Sequence, residues 1–169
     1  MYIVTKRLIV RDFCTSDVND LHEILGDTET MKYCEPAYSF DRTQKFLQDF
    51  CIAKNGAFAA VHKDSQKVIG YILFNALEAS VYEIGWIFNK NFLRQGYAYE
   101  SCSNIILHAF EKMNVRKVVA ETIDKEKSIG LMRKLGMKLE EVQKDATYDL
   151  SGNLTDMYLY GITASRRQE

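Results

Sequence analysis

The chain has 169 residues, too few for two ordinary domains and enough to bury roughly two thirds of its unfolded surface in one core. An apolar fraction of 47%, a charged fraction of 27% and a single proline beside nine glycines exclude collagen-like and low-complexity chains. With 22 basic against 23 acidic residues the formal charge is −1, so no overall field draws the molecule to nucleic acid or an anionic membrane.

Residues 2–11 are rich in β-formers, and Thr15 can cap a helix whose Val18, Leu21, Ile24 and Leu25 share one face before Gly26 ends it. Asp41 with Gln44 resembles a capping box and opens a second amphipathic segment carrying Phe46, Leu47, Phe50 and Cys51. From Gly56 the period becomes that of strands: 57–62, 68–77 and 81–88, separated by polar turns, predict an antiparallel meander. Ala98, Cys102, Ile105, Ile106, Ala109, Phe110 and Met113 then recur at helical spacing, the buried stripe of a long helix. The segment 117–123 reads as a core strand, so 81–123 form a βαβ unit with parallel outer strands. A short helix from Ser128 to Leu135 stops at Gly136, and two strands flank the turn at 151–153. The expected class is α/β (α+β), with a mixed, mostly antiparallel sheet.

The longest uncharged apolar run, Val68 to Leu77, has about half of the roughly 20 residues that span a bilayer. Lys6 and Arg7 interrupt the N-terminus before a secretory stretch forms, so a cytoplasmic protein with no membrane or nucleic-acid partner is expected. Cys14, Cys34, Cys51 and Cys102 lack paired spacing and sit among apolar residues, as expected of reduced core thiols; no ligand spacing predicts a metal site. Cys102 and His108, six residues apart, lie about 120° apart around a helix and form no dyad.

The informative stretch is YEIGWIFNKNFLRQGYAYES, residues 82–101. Its strand feeds a loop with Arg94, Gln95 and Gly96, and the long helix begins at or just after that glycine. A helix start offers amide N–H groups without intrahelical partners and roughly +0.5 charge, a place for a phosphate, to which Arg94 can add a guanidinium. The other reading of Gly96 is a glycine that merely permits a tight turn. Neither a Walker loop nor a full GxGxxG is present.

The segment resembles the pyrophosphate loop of the GNAT superfamily of acyl-CoA-dependent N-acetyltransferases, and the whole chain is similar to its RimJ/RimL branch. The ordered blocks that carry the likeness are TKRLIVRDFCTSDVNDLHEIL (5–25), IGYI (69–72), EIGWIF (83–88), RQGYAYES (94–101), KSIGLMRKLGMK (127–138) and GNLTDMYLYGI (152–162). The resemblance implies one domain over 1–169, a sheet splayed at a central parallel pair and flanked by helices, and acetyl-CoA as acyl donor without a metal. It further implies that Trp86, Ile87 and Phe88 pair with the pantetheine arm, that Leu93, Arg94, Gln95, Gly96, Tyr97 and Ala98 hold the pyrophosphate, and that the partner is an amine acceptor of a monomer or homodimer. Attack would come directly from the amine, with a backbone N–H polarising the thioester carbonyl. The chain departs from the family where Leu93 replaces Gln or Arg, Arg94 replaces a second glycine, Lys125 an Asn in a shortened turn, and Met132 a tyrosine.

An α-amino group with pKa near 7.7–8.0 is roughly a tenth neutral at pH 7, a lysine only about 4 parts in 10,000, so a base matters much more for lysine. Strict alternation puts Tyr82, Ile84, Trp86 and Phe88 on one side of the strand and Glu83, Gly85 and Ile87 on the other. Glu83 is therefore either the general base or a solvated sheet residue. Ser128, matching the branch's serine, is either the group that protonates the leaving thiolate or an N-cap. Tyr33, Tyr38 and Phe40, near Pro36, form a substrate wall or a core cluster. An enzyme acetylating a protein N-terminus or a small amine is the first reading, and a non-catalytic acyl-CoA sensor or interaction domain is the alternative.

Overall fold

The computed structural model describes residues 1–164. The strands are β1 (Tyr2–Val4), β2 (Leu8–Asp12), β3 (Ala57–His62), β4 (Val68–Glu78), β5 (Val81–Phe88), β6 (Lys117–Thr122), β7 (Lys138–Tyr148) and β8 (Leu154–Thr163). They form one eight-stranded sheet in the order β1-β2-β3-β4-β5-β6-β8-β7. Only β5 and β6 run parallel, because the helix α4 (Tyr97–Lys112) carries the chain back between them. The other helices are α1 (Val18–Leu25), α2 (Thr28–Met31), α3 (Phe40–Phe46) and α5 (Lys127–Lys134). The expected α/β class, with a mixed, mostly antiparallel sheet between helices, is the one observed. The domain expected over 1–169 includes residues 165–169, which lie outside the described residues.

The period-2 pattern of the central strands splits the core in two. Ile72 and Phe74 of β4 with Ile84 and Phe88 of β5 face α4, where Cys102, Ile105, Ile106 and Ala109 form the predicted stripe. Tyr71 turns to the opposite face and packs with Leu21, Ile24 and Leu25 of α1 and with Leu47. Burial pushes both enclosed thiols, Cys51 and Cys102, up to about 12. Cys14 and Cys34 are exposed, so the expectation of four core thiols holds for half of them.

Several local starts differ from expectation. The first strand breaks into β1 and β2 at a turn in which the Thr5 N–H donates to the Leu8 carbonyl at 2.9 Å. Thr15 begins a 3-10 turn, Thr15–Asp17, whose Asp17 carboxylate accepts the Cys14 N–H at 2.9 Å and pairs with Arg11. Helix α3 is capped by Ser39, which accepts the Arg42 N–H at 3.2 Å, leaving Asp41 in its first turn to complement the dipole. Past Phe46 the helix continues as a π-helical turn, Leu47–Ile52.

Candidate active site

Strands β5 and β6 are registered only at Val81–Lys117, Tyr82–Val118 and Glu83–Val119. Beyond Glu83 they part, and β5 runs on to Phe88 paired, among the described residues, with β4 alone. A cleft of about 490 Å³ opens beside this free edge, lined by Trp86, Ile87 and Phe88, by the loop into α4, and by Ser128 and Leu131 of α5. Leu93, Arg94, Gly96, Tyr97 and Ala98 line it as well; Gln95 does not, its side chain turning to the Asn91 carbonyl at 3.2 Å and its own carbonyl to Arg7 at 2.9 Å. Tyr33 and Cys34 form part of the wall, whereas Tyr38 is buried with Arg42 over its ring and Phe40 stands edge-on to His22. Of the three aromatics, Tyr33 thus lines the cleft, Tyr38 belongs to the core and Phe40 is exposed, in neither.

The loop takes left-handed backbone at Arg94, φ 59°, and at Gly96, φ 84°. The second position explains the glycine, and the first shows why a glycine is the easier residue where this chain carries arginine. Between Arg94 and Tyr99 no backbone N–H finds an acceptor among the described residues; the first helical bond is donated by Glu100 to the Gly96 carbonyl at 3.0 Å. Unpartnered amides, the positive end of a 16-residue helix, and the cations of Arg94, Lys127 and Lys134 around one cleft suit an extended ligand carrying phosphates. The donor set therefore fits a coenzyme A diphosphate, and the apolar Trp86–Phe88 edge suits an amide-bearing arm, since its strand hydrogen bonds on that side are unspent.

Glu83 stands where β5 and β6 diverge, on the Tyr71 face of the sheet rather than on the cleft wall. It is half-buried with no cation against it among the described residues, and burial first, then the Glu121 carboxylate on β6, raise its pKa above the ordinary carboxylate value. Ser128 lies one residue inside α5, so it is not the N-cap. That task falls to Asp124, missed in the sequence, whose buried carboxylate accepts the N–H groups of Glu126, Lys127 and Ser128 at 3.0–3.1 Å. The Ser128 hydroxyl also donates to Asp124, at 3.3 Å. Met132, at the position of the family's tyrosine, is buried in the core.

A family model described as "Acetyltransferase (GNAT) domain" matches residues 7–138. The chain belongs to the GNAT family. It is 33% identical over 144 residues to the uncharacterized N-acetyltransferase YnaD of Bacillus subtilis (strain 168), covering 83% of this chain and 84% of the relative. Among solved structures, a GNAT-family acetyltransferase from Bacillus anthracis superposes with a TM-score of 0.89 at 27% identity, over 96% of this chain and 98% of that one. The fold is shared as well, at 22% identity and a TM-score of 0.84, with a RimL ribosomal alpha-N-protein acetyltransferase solved in complex with coenzyme A, over 96% and 98% of the two chains. The GNAT membership and its N-acetyltransferase relatives make this chain an acetyltransferase. Among the described residues no helix is long and apolar enough to cross a membrane.

Proposed function

We propose that the protein transfers an acetyl group from acetyl-CoA to a primary amine, by direct attack in a ternary complex, as a single-domain enzyme of the RimJ/RimL branch. The observation that carries this reading is the run of unpartnered amides at 94–99 beside a β5 edge that β6 does not cover. Leu93 to Ala98 would hold the diphosphate, with Gly96 giving the backbone its close approach and Arg94 its charge; Gln95 contributes its amide, since its side chain faces away. Trp86, Ile87 and Phe88 would hold the pantetheine arm. Acetyl-CoA supplies the thioester carbonyl that the amine attacks.

Glu83, at the apex of the splay, takes the amine's proton directly or through one water, a role for which its raised pKa suits a carboxylate. Ser128 gives a proton to the departing sulfur after its hydroxyl turns from Asp124. A thiol of pKa near 8.5 leaves tolerably without that help, so Ser128 is the lesser of the two groups. The carboxylates Glu83 and Glu121 beside the splay suit an acceptor that arrives as an ammonium, whether a protein N-terminus or a small amine. We place the enzyme in the cytoplasm, as a monomer or homodimer.

The test is release of free thiol. Acetyl-CoA mixed with the protein and a panel of α-amino peptides and small amines is expected to liberate coenzyme A with at least one acceptor. Binding of coenzyme A with no thiol released from any amine would favour the sensor reading, and absence of binding would remove the cleft assignment.

A further inference from the structure

Arg7, in the turn between β1 and β2, reaches the loop from a distant part of the sequence. Its Nη1 donates to the Gln95 carbonyl at 2.9 Å and its Nε to Glu100 Oε2 at 2.7 Å. The other Glu100 oxygen accepts the Arg7 amide and the Thr5 hydroxyl, each at 2.7 Å. The guanidinium also lies over the Tyr97 ring, 4.2 Å from its centroid, and the Tyr97 hydroxyl shares a hydrogen bond with His62 Nε2 at 3.1 Å. Burial alone raises the Glu100 carboxyl, but the Thr5 and Arg7 hydrogen bonds outweigh it and keep the group below its ordinary value, ionised and able to hold the arginine.

We propose that Arg7 is a positioning residue for the acyl donor: by holding the Gln95–Gly96 peptide and Glu100 together, it keeps the loop amides aimed at the diphosphate. The inference rests on the cleft being the acyl-CoA site. In a trans peptide the carbonyl and the N–H point in opposite directions. Holding the Gln95 carbonyl against Arg7 therefore sends the Gly96 N–H the other way. Left-handed residues bracket that peptide, Arg94 before it and Gly96 ending it, and an untethered loop would leave such a conformation readily. A Cβ at Gly96 would sit 3.4 Å from Arg7 Nη2, so the guanidinium packs directly against the glycine. Lysine cannot replace it, because one ammonium cannot bond Gln95 and Glu100 in a planar fork while stacking on Tyr97.

A purely structural clamp between the N-terminal hairpin and α4 would affect every ligand alike, so the test compares two. Calorimetric titration of the full chain with coenzyme A and with pantetheine, which lacks the diphosphate, is expected to show coenzyme A binding about tenfold weaker in Arg7→Lys, the loss of one charge-assisted hydrogen bond, while pantetheine binding holds. Glu100→Gln, which loosens the same fork from its other end, is expected to act in the same direction and serves if Arg7→Lys fails to fold. Unchanged coenzyme A affinity, or equal losses for both ligands, overturns the role of Arg7. A wild-type protein that does not bind coenzyme A more tightly than pantetheine overturns the cleft reading itself.

Discussion

A half-buried carboxylate with another carboxylate beside it and no cation to pair with is costly at neutral pH, and among the described residues Glu83 is such a group. Its side faces Tyr71 and Asn75 of β4 and Glu121 of β6. Because its pKa is raised on folding, the folded chain holds the proton more firmly, and stability falls as pH rises through the window between the ordinary and the raised value. Glu83→Gln is therefore expected to raise the melting temperature at neutral pH, with the gain vanishing below about pH 4, the ordinary glutamate range, while turnover falls on the order of 10²–10⁴. Glu121→Gln removes the second cause of the shift and is expected to move the acidic limb of the pH–rate profile to lower pH. A profile unmoved by Glu121→Gln, or turnover insensitive to Glu83→Gln, would reduce Glu83 to a sheet residue.

The helix α5 shows what sequence pattern could and could not supply at the level of elements. Its extent was legible, the expected Ser128 to Leu135 before the closing Gly136 lying one residue from the observed bounds, as α4 was from its stripe of Cys102, Ile105 and Ala109. Its cap was not. Ser128 is a common capping residue, but here the turn is shortened and Asp124 reaches across it to three N–H groups. The signal was an aspartate heading a polar run, which competes poorly with a serine nearer the apolar positions. Ser39 displaced Asp41 at α3 in the same way, since several acceptors stood within one turn of each other. Likewise the clamp of Arg7 on Gln95 and Glu100 was invisible, because it joins segments that only the folded sheet brings together. Asp124→Ala is expected to cost about 2 kcal/mol, the upper range for a lost cap, which a chain of this size shows as roughly 4–8 °C in melting temperature. Asp124→Asn, retaining an acceptor, should lose less than half of that; equal losses would mean that charge rather than capping is what the site uses.

At the scale of the molecule, the sheet is held by a ladder of only three registered pairs where the chemistry is proposed. Strands β1 to β5 and strands β6 to β8 meet through the short ladder from Val81 to Glu83, and above it the two parts are joined by the side chains of α4 and α5. A ligand lying along Trp86–Phe88 and the loop, with Ser128 and Leu131 on its other side, would touch both parts at once. Such a ligand binds the folded state only, so its contribution is RT ln(1 + [L]/Kd), about 2.7 kcal/mol at a hundredfold excess over Kd. For a domain of this length that corresponds to a rise of roughly 5–11 °C. Coenzyme A is expected to produce this shift and to slow amide hydrogen exchange at Tyr82 and Glu83, the ladder residues that would otherwise open first as the splay widens. Gly96→Val should abolish both effects, since a β-branched side chain strains a backbone at φ 84° and obstructs the amides. No thermal shift in the wild-type protein at millimolar coenzyme A would mean that the amides of 94–99 do not serve a diphosphate, however open the geometry leaves them.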